Sequence, residues 1–244
     1  MPFLSVIIPA YNESERLPET LRMVREYLER QNFTYEVLLI DDGSTDTTVK
    51  LAEKISADFP ALKVVKNAQN KGKGGVVRQG MLMAKGEWRL FMDADHATPI
   101  SEFDKFIPEL GNAEVIIGSR YLHPDSIKVR QPLKRRIGSR GFNWLVQRSI
   151  LPGIVDTQCG FKAFSAKAAE DIFPLQSLQR WAFDAEILTI ANELGYKIIE
   201  VPVDWYDATA SRFRARQAVA QLLHDLKVIR HKVKTKQYRH EPTS

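Results

Sequence analysis

Between residues 3 and 93, short apolar runs alternate with stretches of helical periodicity, and this alternation constrains the fold more than any other feature of the chain. FLSVII (3–8) is a β-rich run stopped by Pro9. In PETLRMVREYLERQ, Leu21, Val24 and Leu28 recur at helical spacing. YEVLLID (35–41) predicts a second buried strand, and DTTVKLAEKISADF a second helix capped by Ser44 or Asp46. LKVVK (62–66) predicts a third strand, GGVVRQGMLMAKG a third helix ending at Gly86, and WRLFMD (88–93) a fourth strand. Such alternation predicts an α/β fold, with a mostly parallel central sheet covered by helices on both faces. With 244 residues, 44% of them hydrophobic, the chain can bury one large core. After Asp95 the alternation loosens. EVIIGSRY reads as a fifth strand, LKRRIGSRGFNWLVQRSIL as a basic helix or loop, FDAEILTIANELGY as an amphipathic helix and KIIEVPVDW as a further strand.

Ligands of parallel sheets gather at the carboxyl ends of the strands. Three polar clusters stand at predicted ends: Pro9, Tyr11, Asn12 and Glu13; Asp41, Asp42, Gly43 and Ser44; and Asp93, Ala94 and Asp95. A single Asp-x-Asp arises by chance about once in a chain of this length. Three polar ends on one edge make a site. Asp93 and Asp95, two residues apart, project to the same side. Hard Mg²⁺ or Mn²⁺ takes such oxygens and shares its other positions with phosphates and water. Asp41 and Asp42 have a competing reading as a capping turn, and both readings hold if Ser44 or Asp46 caps while Asp42 binds. The glycine-rich NKGKGGVVRQG (70–80) lacks the P-loop spacing, and Val77 stands where a dinucleotide fingerprint needs its third glycine. Gly72, Gly74 and Gly75 are either a pliant helix start or backbone amides close to a nucleotide.

The lone cysteine, Cys159, excludes an intrachain disulfide and fits a reducing, cytoplasmic setting. No apolar stretch approaches the roughly 18 residues of a membrane span, and MPFLSVIIPAYN lacks the basic start of a signal peptide, so a soluble or peripheral protein is expected. The net charge of +5 is uneven. Residues 212–240 hold nine Lys/Arg against Asp225, whereas residues 1–211 hold 26 basic and 28 acidic residues. In that tail Val219, Leu222, Leu226, Ile229 and Val233 recur at helical spacing, with Arg216, Lys227, Arg230 and Lys234 opposite. Packing on the domain explains the stripe alone; an anionic membrane explains stripe and charge together. Nucleic acid is not expected, because no stacking-aromatic pattern or reading motif accompanies the charge. The basic stretch 128–144, interleaved with Leu133, Ile137, Phe142 and Trp144, has the same two readings: a solvated face or a surface leaning on headgroups.

VIIPAYNE, LLIDDGSTD, NKGKGGVVRQG, FMDADHATP, GSR, DTQCGFKAF and RWAFDAEIL together resemble the inverting family-two glycosyltransferases of GT-A fold, a Rossmann-like architecture, and within them the dolichyl-phosphate glucosyltransferases. The similarity runs from about residue 3 to 212, which implies a catalytic domain over 1–211 and a basic amphipathic extension over 212–244. By position, the resemblance implies that Pro9, Tyr11 and Glu13 line the base and ribose pocket and that Asp42, beside Asp41, bonds the base. It implies that Asp93 faces the ribose–diphosphate, that Asp95 with Asp93 and Ala94 forms the metal motif, and that Lys73 lies near the nucleotide. Arg120 approaches the phosphates or the donor sugar, and Arg135, Arg136, Ser139 and Arg140 meet the acceptor phosphate. The implied reaction carries a sugar from a nucleotide donor, UDP-glucose first, to a polyprenyl or dolichyl phosphate, with Mg²⁺ or Mn²⁺. Two departures stand out. Eukaryotic relatives carry an N-terminal membrane span that this sequence does not show, and the family's GSK is here Ala210, Ser211 and Arg212, which keeps the charge and loses the glycine. Asp184 is either the base for a hydroxyl acceptor or an orienter of sugar hydroxyls. A phosphate acceptor, already dianionic at neutral pH, needs no base. GDP-mannose as donor, a polysaccharide hydroxyl as acceptor, and a non-catalytic binding module are the alternatives. His96 reads as a residue behind the metal site or facing solvent, and Cys159 as a small buried thiol. Asp156 and Gln158 shape the acceptor or donor sugar pocket or pack in a turn; Arg180 or Trp181 stacks or pairs near the donor sugar, and Trp181 reads equally as core.

Overall fold

The computed structural model describes residues 1–128, 141, 146–180, 182–206 and 215–239, without the side chains of 215–220 and 222. Seven strands form one sheet in the order β3-β2-β1-β4-β6-β5-β7. They are β1 (Leu4–Ala10), β2 (Tyr35–Asp41), β3 (Leu62–Lys66), β4 (Trp88–Met92), β5 (Val115–Ser119), β6 (Phe161–Ser165) and β7 (Ile198–Pro202). All neighbours run parallel except β6, which lies antiparallel between β4 and β5. The helices are α1 (Leu17–Leu28), α2 (Thr48–Ala57), α3 (Lys73–Met83), α4 (Ala166–Leu175), α5 (Phe183–Glu193) and α6 (Ala215–Lys234).

The sheet is buried on both faces, as its uninterrupted apolar strands require. One core joins α1 and the short turns at Ile100–Lys105 and Ile107–Glu109 through Leu21, Val24, Phe103 and Phe106. The other joins α3, α4 and α5 through Val77, Ile172, Phe183 and Ile187. The end of the basic extension enters this second core with Leu226, Ile229 and Tyr238, so that part of its apolar stripe faces protein. Periodicity alone does not distinguish a core from a lipid surface.

Three sequence expectations change. The first strand is not stopped by Pro9 but runs to Ala10, with Pro9 beside Ile40. Ala10 accepts from Asp42 N–H on the β2 side, so alternation turns the Pro9 nitrogen toward β4, where pairing has ended at Ile7 and Phe91, and no ladder bond is lost. The third helix ends at Met83 rather than Gly86. Gly86 is needed for close approach instead: a Cβ there would stand 2.6 Å from Ser5 N and from Trp88 O. Finally, β6 and α4 fill the stretch where the alternation loosened. They form from FKAFS and AKAAEDIFPL, the latter capped by the Ser165 hydroxyl, which accepts from Ala168 N–H.

Candidate active site

The parallel arrangement sends β1, β2, β4 and β5 to end on one edge, and antiparallel β6 begins there. Buried Phe91 and Met92 lead into Asp93, whose side chain remains 30% exposed, and Asp95 is 28% exposed, so both carboxylates are open to a ligand. Asp93 N–H donates to Gly160 O at 3.1 Å. A Cβ on Gly160 would overlap the Asp93 carboxylate, so glycine at 160 keeps the space in which that carboxylate lies. Lys73, the first residue of α3, brings Nζ to 2.5 Å from Asp93 Oδ1. Burial alone would lower the Lys73 pKa, but the charges of Asp93, then Asp184 and Asp95, hold it above the usual lysine range. Asp95 accepts from Ala97 N–H at 3.1 Å and lies 4.0 Å from Arg16 Nη1. Burial, and then the like charge on Asp93, raise its pKa. Two partly desolvated carboxylates facing one another are poised to take positive charge.

The first two loops interlock. Asn12, at φ 55, accepts from Thr45 N–H at 2.8 Å, and its own N–H donates to Ser44 Oγ at 2.8 Å. Glu13 N–H donates to Thr48 Oγ1, while the Glu13 carboxylate takes a forked pair from Arg16 at 2.7 and 2.6 Å. Tyr11 is exposed on this edge, above buried Pro9. Asp41 accepts from Gly43 and Ser44 N–H, and Asp42 accepts from Lys71 N–H at 2.6 Å and Gly72 N–H at 3.0 Å. Asp42 therefore clamps the glycine-rich segment to the end of β2. Asp46, not Ser44, meets the first turn of α2, accepting from Thr48 N–H. The glycines of that segment are tightly packed: a Cβ on Gly72 would stand 2.5 Å from Gln179 O, and one on Gly74 2.7 Å from Phe183 Cβ.

Asp184, on the first turn of α5, is buried and accepts from Lys162 Nζ at 2.5 Å. Lys162 is wholly buried on β6, also bonds Cys159 O at 2.5 Å, and lies over the Phe91 ring. Burial raises the Asp184 pKa, opposed by Lys162 and Lys73. A charged row thus runs from Asp95 through Asp93, Lys73 and Asp184 to Lys162. Neither Lys162 nor Arg16 was singled out from the sequence. A lysine inside the apolar run FKAF was the available signal for the first; Arg16 carried none. Arg120, at the end of β5, forks onto Asp156 at 2.7 and 2.8 Å, with Tyr121 and Trp205 rings beside it. This pair is buried, and Glu200 accepts from the Val155 and Asp156 N–H groups. His96, at φ 59, turns to Thr20 Oγ1 at 3.0 Å, and the same hydroxyl bonds Ala94 O. Cys159 is buried, and burial pushes its thiol up to about 12. Arg135, Arg136, Ser139, Arg140, Trp181 and Arg212 lie outside the described residues. Among the described residues no group of three or more His, Cys, Asp or Glu could enclose a metal by itself, so a cation at Asp93 and Asp95 would draw its other oxygens from elsewhere.

Comparison with known proteins gives the family and the fold. The family description "Glycosyl transferase family 2" matches residues 5–173. The dolichyl-phosphate beta-glucosyltransferase of Dictyostelium discoideum is 37% identical over 241 residues, covering 93% of this chain and 74% of that one. The enzyme of the same name from Drosophila melanogaster is 40% identical, with the same coverage. Among solved structures, glucosyl-3-phosphoglycerate synthase from Mycobacterium tuberculosis, in complex with Mn²⁺, UDP and glucosyl-3-phosphoglycerate, superposes with a TM-score of 0.65 at 18% identity, covering 99% of this chain and 82% of that one. That likeness carries the fold, which is GT-A. The family match and the identities carry the class: the chain belongs to glycosyl transferase family 2 and is a glycosyltransferase.

Proposed function

We propose that the protein transfers glucose, with inversion, from UDP-glucose to a polyprenyl or dolichyl phosphate at a membrane surface. The observation that carries the reading is the open Asp93–Asp95 pair facing Lys73 at the end of β4, in a chain 37–40% identical to dolichyl-phosphate beta-glucosyltransferases. The two carboxylates fit a hard divalent cation: their oxygens are partly exposed, Gly160 leaves room for them, and their mutual repulsion favours a positive guest. When bound, Mg²⁺ or Mn²⁺ supplies charge neutralisation to the leaving diphosphate. The chain's own residues do the rest. Pro9, Tyr11 and Glu13 wall the nucleoside side of the edge. Lys73, its ammonium held charged by its carboxylate neighbours, adds fixed positive charge where phosphate charge develops. Asp184 orients sugar hydroxyls; one of its oxygens is already bound by Lys162, which suits orientation better than proton abstraction. Arg135, Arg136, Ser139 and Arg140 receive the acceptor phosphate, for which guanidinium forks are matched. The exposed Lys227, Arg230 and Lys234 of α6 rest on anionic headgroups.

One assay tests the whole reading. Purified protein with Mn²⁺ or Mg²⁺ meets UDP-glucose, other UDP-sugars and GDP-mannose, with and without a polyprenyl phosphate. Organic-extractable glucose appearing only with UDP-glucose and lipid phosphate is expected. Transfer to a hydroxyl acceptor, or from GDP-mannose alone, overturns it.

A further inference from the structure

Glu186 lies two residues beyond Asp184 on α5 and is wholly buried. A buried carboxylate needs several donors, and this one draws them from two distant parts of the chain. Its Oε2 accepts from Ser177 N–H at 3.0 Å and Leu178 N–H at 2.7 Å. Its Oε1 accepts from Ser177 Oγ at 2.6 Å and from Tyr238 Oη at 2.8 Å, and Lys232 Nζ stands 3.7 Å away. Lys232 also bonds Ser177 Oγ at 2.6 Å and covers the Tyr238 ring. Tyr238 is itself 1% exposed, so this turn of the basic extension plugs the carboxylate.

The segment that Glu186 holds touches the donor edge. Gly74 N–H donates to Gln179 O at 2.8 Å, and Gln176 Nε2 donates to Gly74 O at 2.9 Å. The close packing of Gly72 against Gln179 and of Gly74 against Phe183 leaves no slack between the two segments. Lys73 lies between those two glycines. Asp42 fixes the chain just before it, and residues 176–179 fix it just after.

We infer that Glu186 is a positioning residue for Lys73: hydrogen-bonded by Tyr238 and ion-paired with Lys232 of the C-terminal extension, it sets residues 177–179 and through them the Gly72–Gly74 segment that aims Lys73 at Asp93. The basic extension is thereby part of the donor site as well as a surface for lipid. The inference rests on the donor-site reading given above, and two readouts separate the fates of the two.

The experiment compares wild type with Glu186→Gln, Tyr238→Phe and a control, Arg239→Ala, which breaks the exposed Arg239–Glu193 pair in the same turn without touching Glu186. The first readout is amide hydrogen exchange over residues 71–80, which needs no ligand. Exchange about tenfold faster than wild type is expected in Glu186→Gln and Tyr238→Phe, with β1 and β2 unchanged and the control silent. The second is UDP binding with Mn²⁺ by calorimetry, where the first two variants should bind on the order of tenfold more weakly. Unchanged exchange over 71–80 in Tyr238→Phe, the variant that loses a single hydroxyl, overturns the inference even if Glu186→Gln does not fold. A merely structural role would lower thermal stability in Glu186→Gln and Tyr238→Phe and leave exchange over 71–80 and UDP affinity at their wild-type values. If wild type shows no UDP binding while the exchange effect is present, the donor reading fails and the mechanical link stands.

Discussion

The acidic pairs that end β2 and β4 flank β1 on the same edge, yet their surroundings differ. Asp41 and Asp42 are 2% and 4% exposed, and their carboxylates accept from the backbone N–H groups of residues 43, 44, 71 and 72. Asp93 and Asp95 keep near a third of their side chains exposed and face the side-chain cations of Lys73 and Arg16. Backbone donors cannot leave without unfolding a turn, so the first pair ties loops together whatever else it meets. An ammonium on a flexible stem can move, so the second pair can exchange one cation for another. Acidity at a strand end is therefore not what marks a site; the removability of its partner is.

The largest effect that separates the pairs should come from Asp95→Asn. We expect transfer to fall by about 10³-fold, with melting temperature held or slightly raised, because the substitution removes repulsion from Asp93. A variant retaining most of its activity would place the metal elsewhere. Gly160→Ala should come next. Its Cβ would displace the Asp93 carboxylate, and a loss on the order of 10²-fold in kcat/KM is expected while the sheet still forms. Normal kinetics in this variant would mean that the Asp93 position does not matter.

Much of this edge was legible in the sequence because strand ends in a parallel sheet are set by local pattern. Asp93, Asp95, Asp42 and Glu13 fall at or beside such ends, whereas Lys73, at the start of α3, was implied only by the family resemblance. What was not legible came from strands that pair out of order. FKAFS is only five residues long, so nothing local shows that it inserts antiparallel between β4 and β5. That insertion is what brings Gly160 under Asp93 and Lys162 to Asp184. Tyr238 reads as one more residue of a basic tail, and only the folded chain shows its hydroxyl on Glu186. Likewise Asp42 reads as a base-binding residue, and nothing local shows that its carboxylate also accepts from the amides of Lys71 and Gly72.

Asp42→Ala tests the other half of the comparison. It leaves the Lys71 and Gly72 N–H groups without their acceptor at a buried position, which should cost about 2–4 kcal/mol. For a chain of this length that corresponds to a melting temperature lower by roughly 5–10 °C. Donor KM should rise as a consequence, because the clamped segment carries Lys73. A raised KM with unchanged melting temperature would instead make Asp42 a residue that binds the base directly and spends little on the loop.

The smallest effect concerns Asp46, the third acid of the β2 loop. Burial would raise its pKa, but the hydroxyl and N–H of Thr48, and then Ser14, bring it down to about 2 from 3.8. A carboxylate whose folded pKa is depressed stabilises the fold above its unfolded pKa and loses that contribution as pH falls through the folded value. The window is therefore 3.8 down to about 2. Melting curves of wild type and Asp46→Asn, taken from neutral pH downward, should show wild type slightly ahead and the gap closing inside that window. The side chain is exposed, so screening keeps the gap small. A gap that persists unchanged to the acid end would mean that Asp46 acts as a neutral hydrogen-bond acceptor, and that its charge contributes nothing to tying the first two loops together.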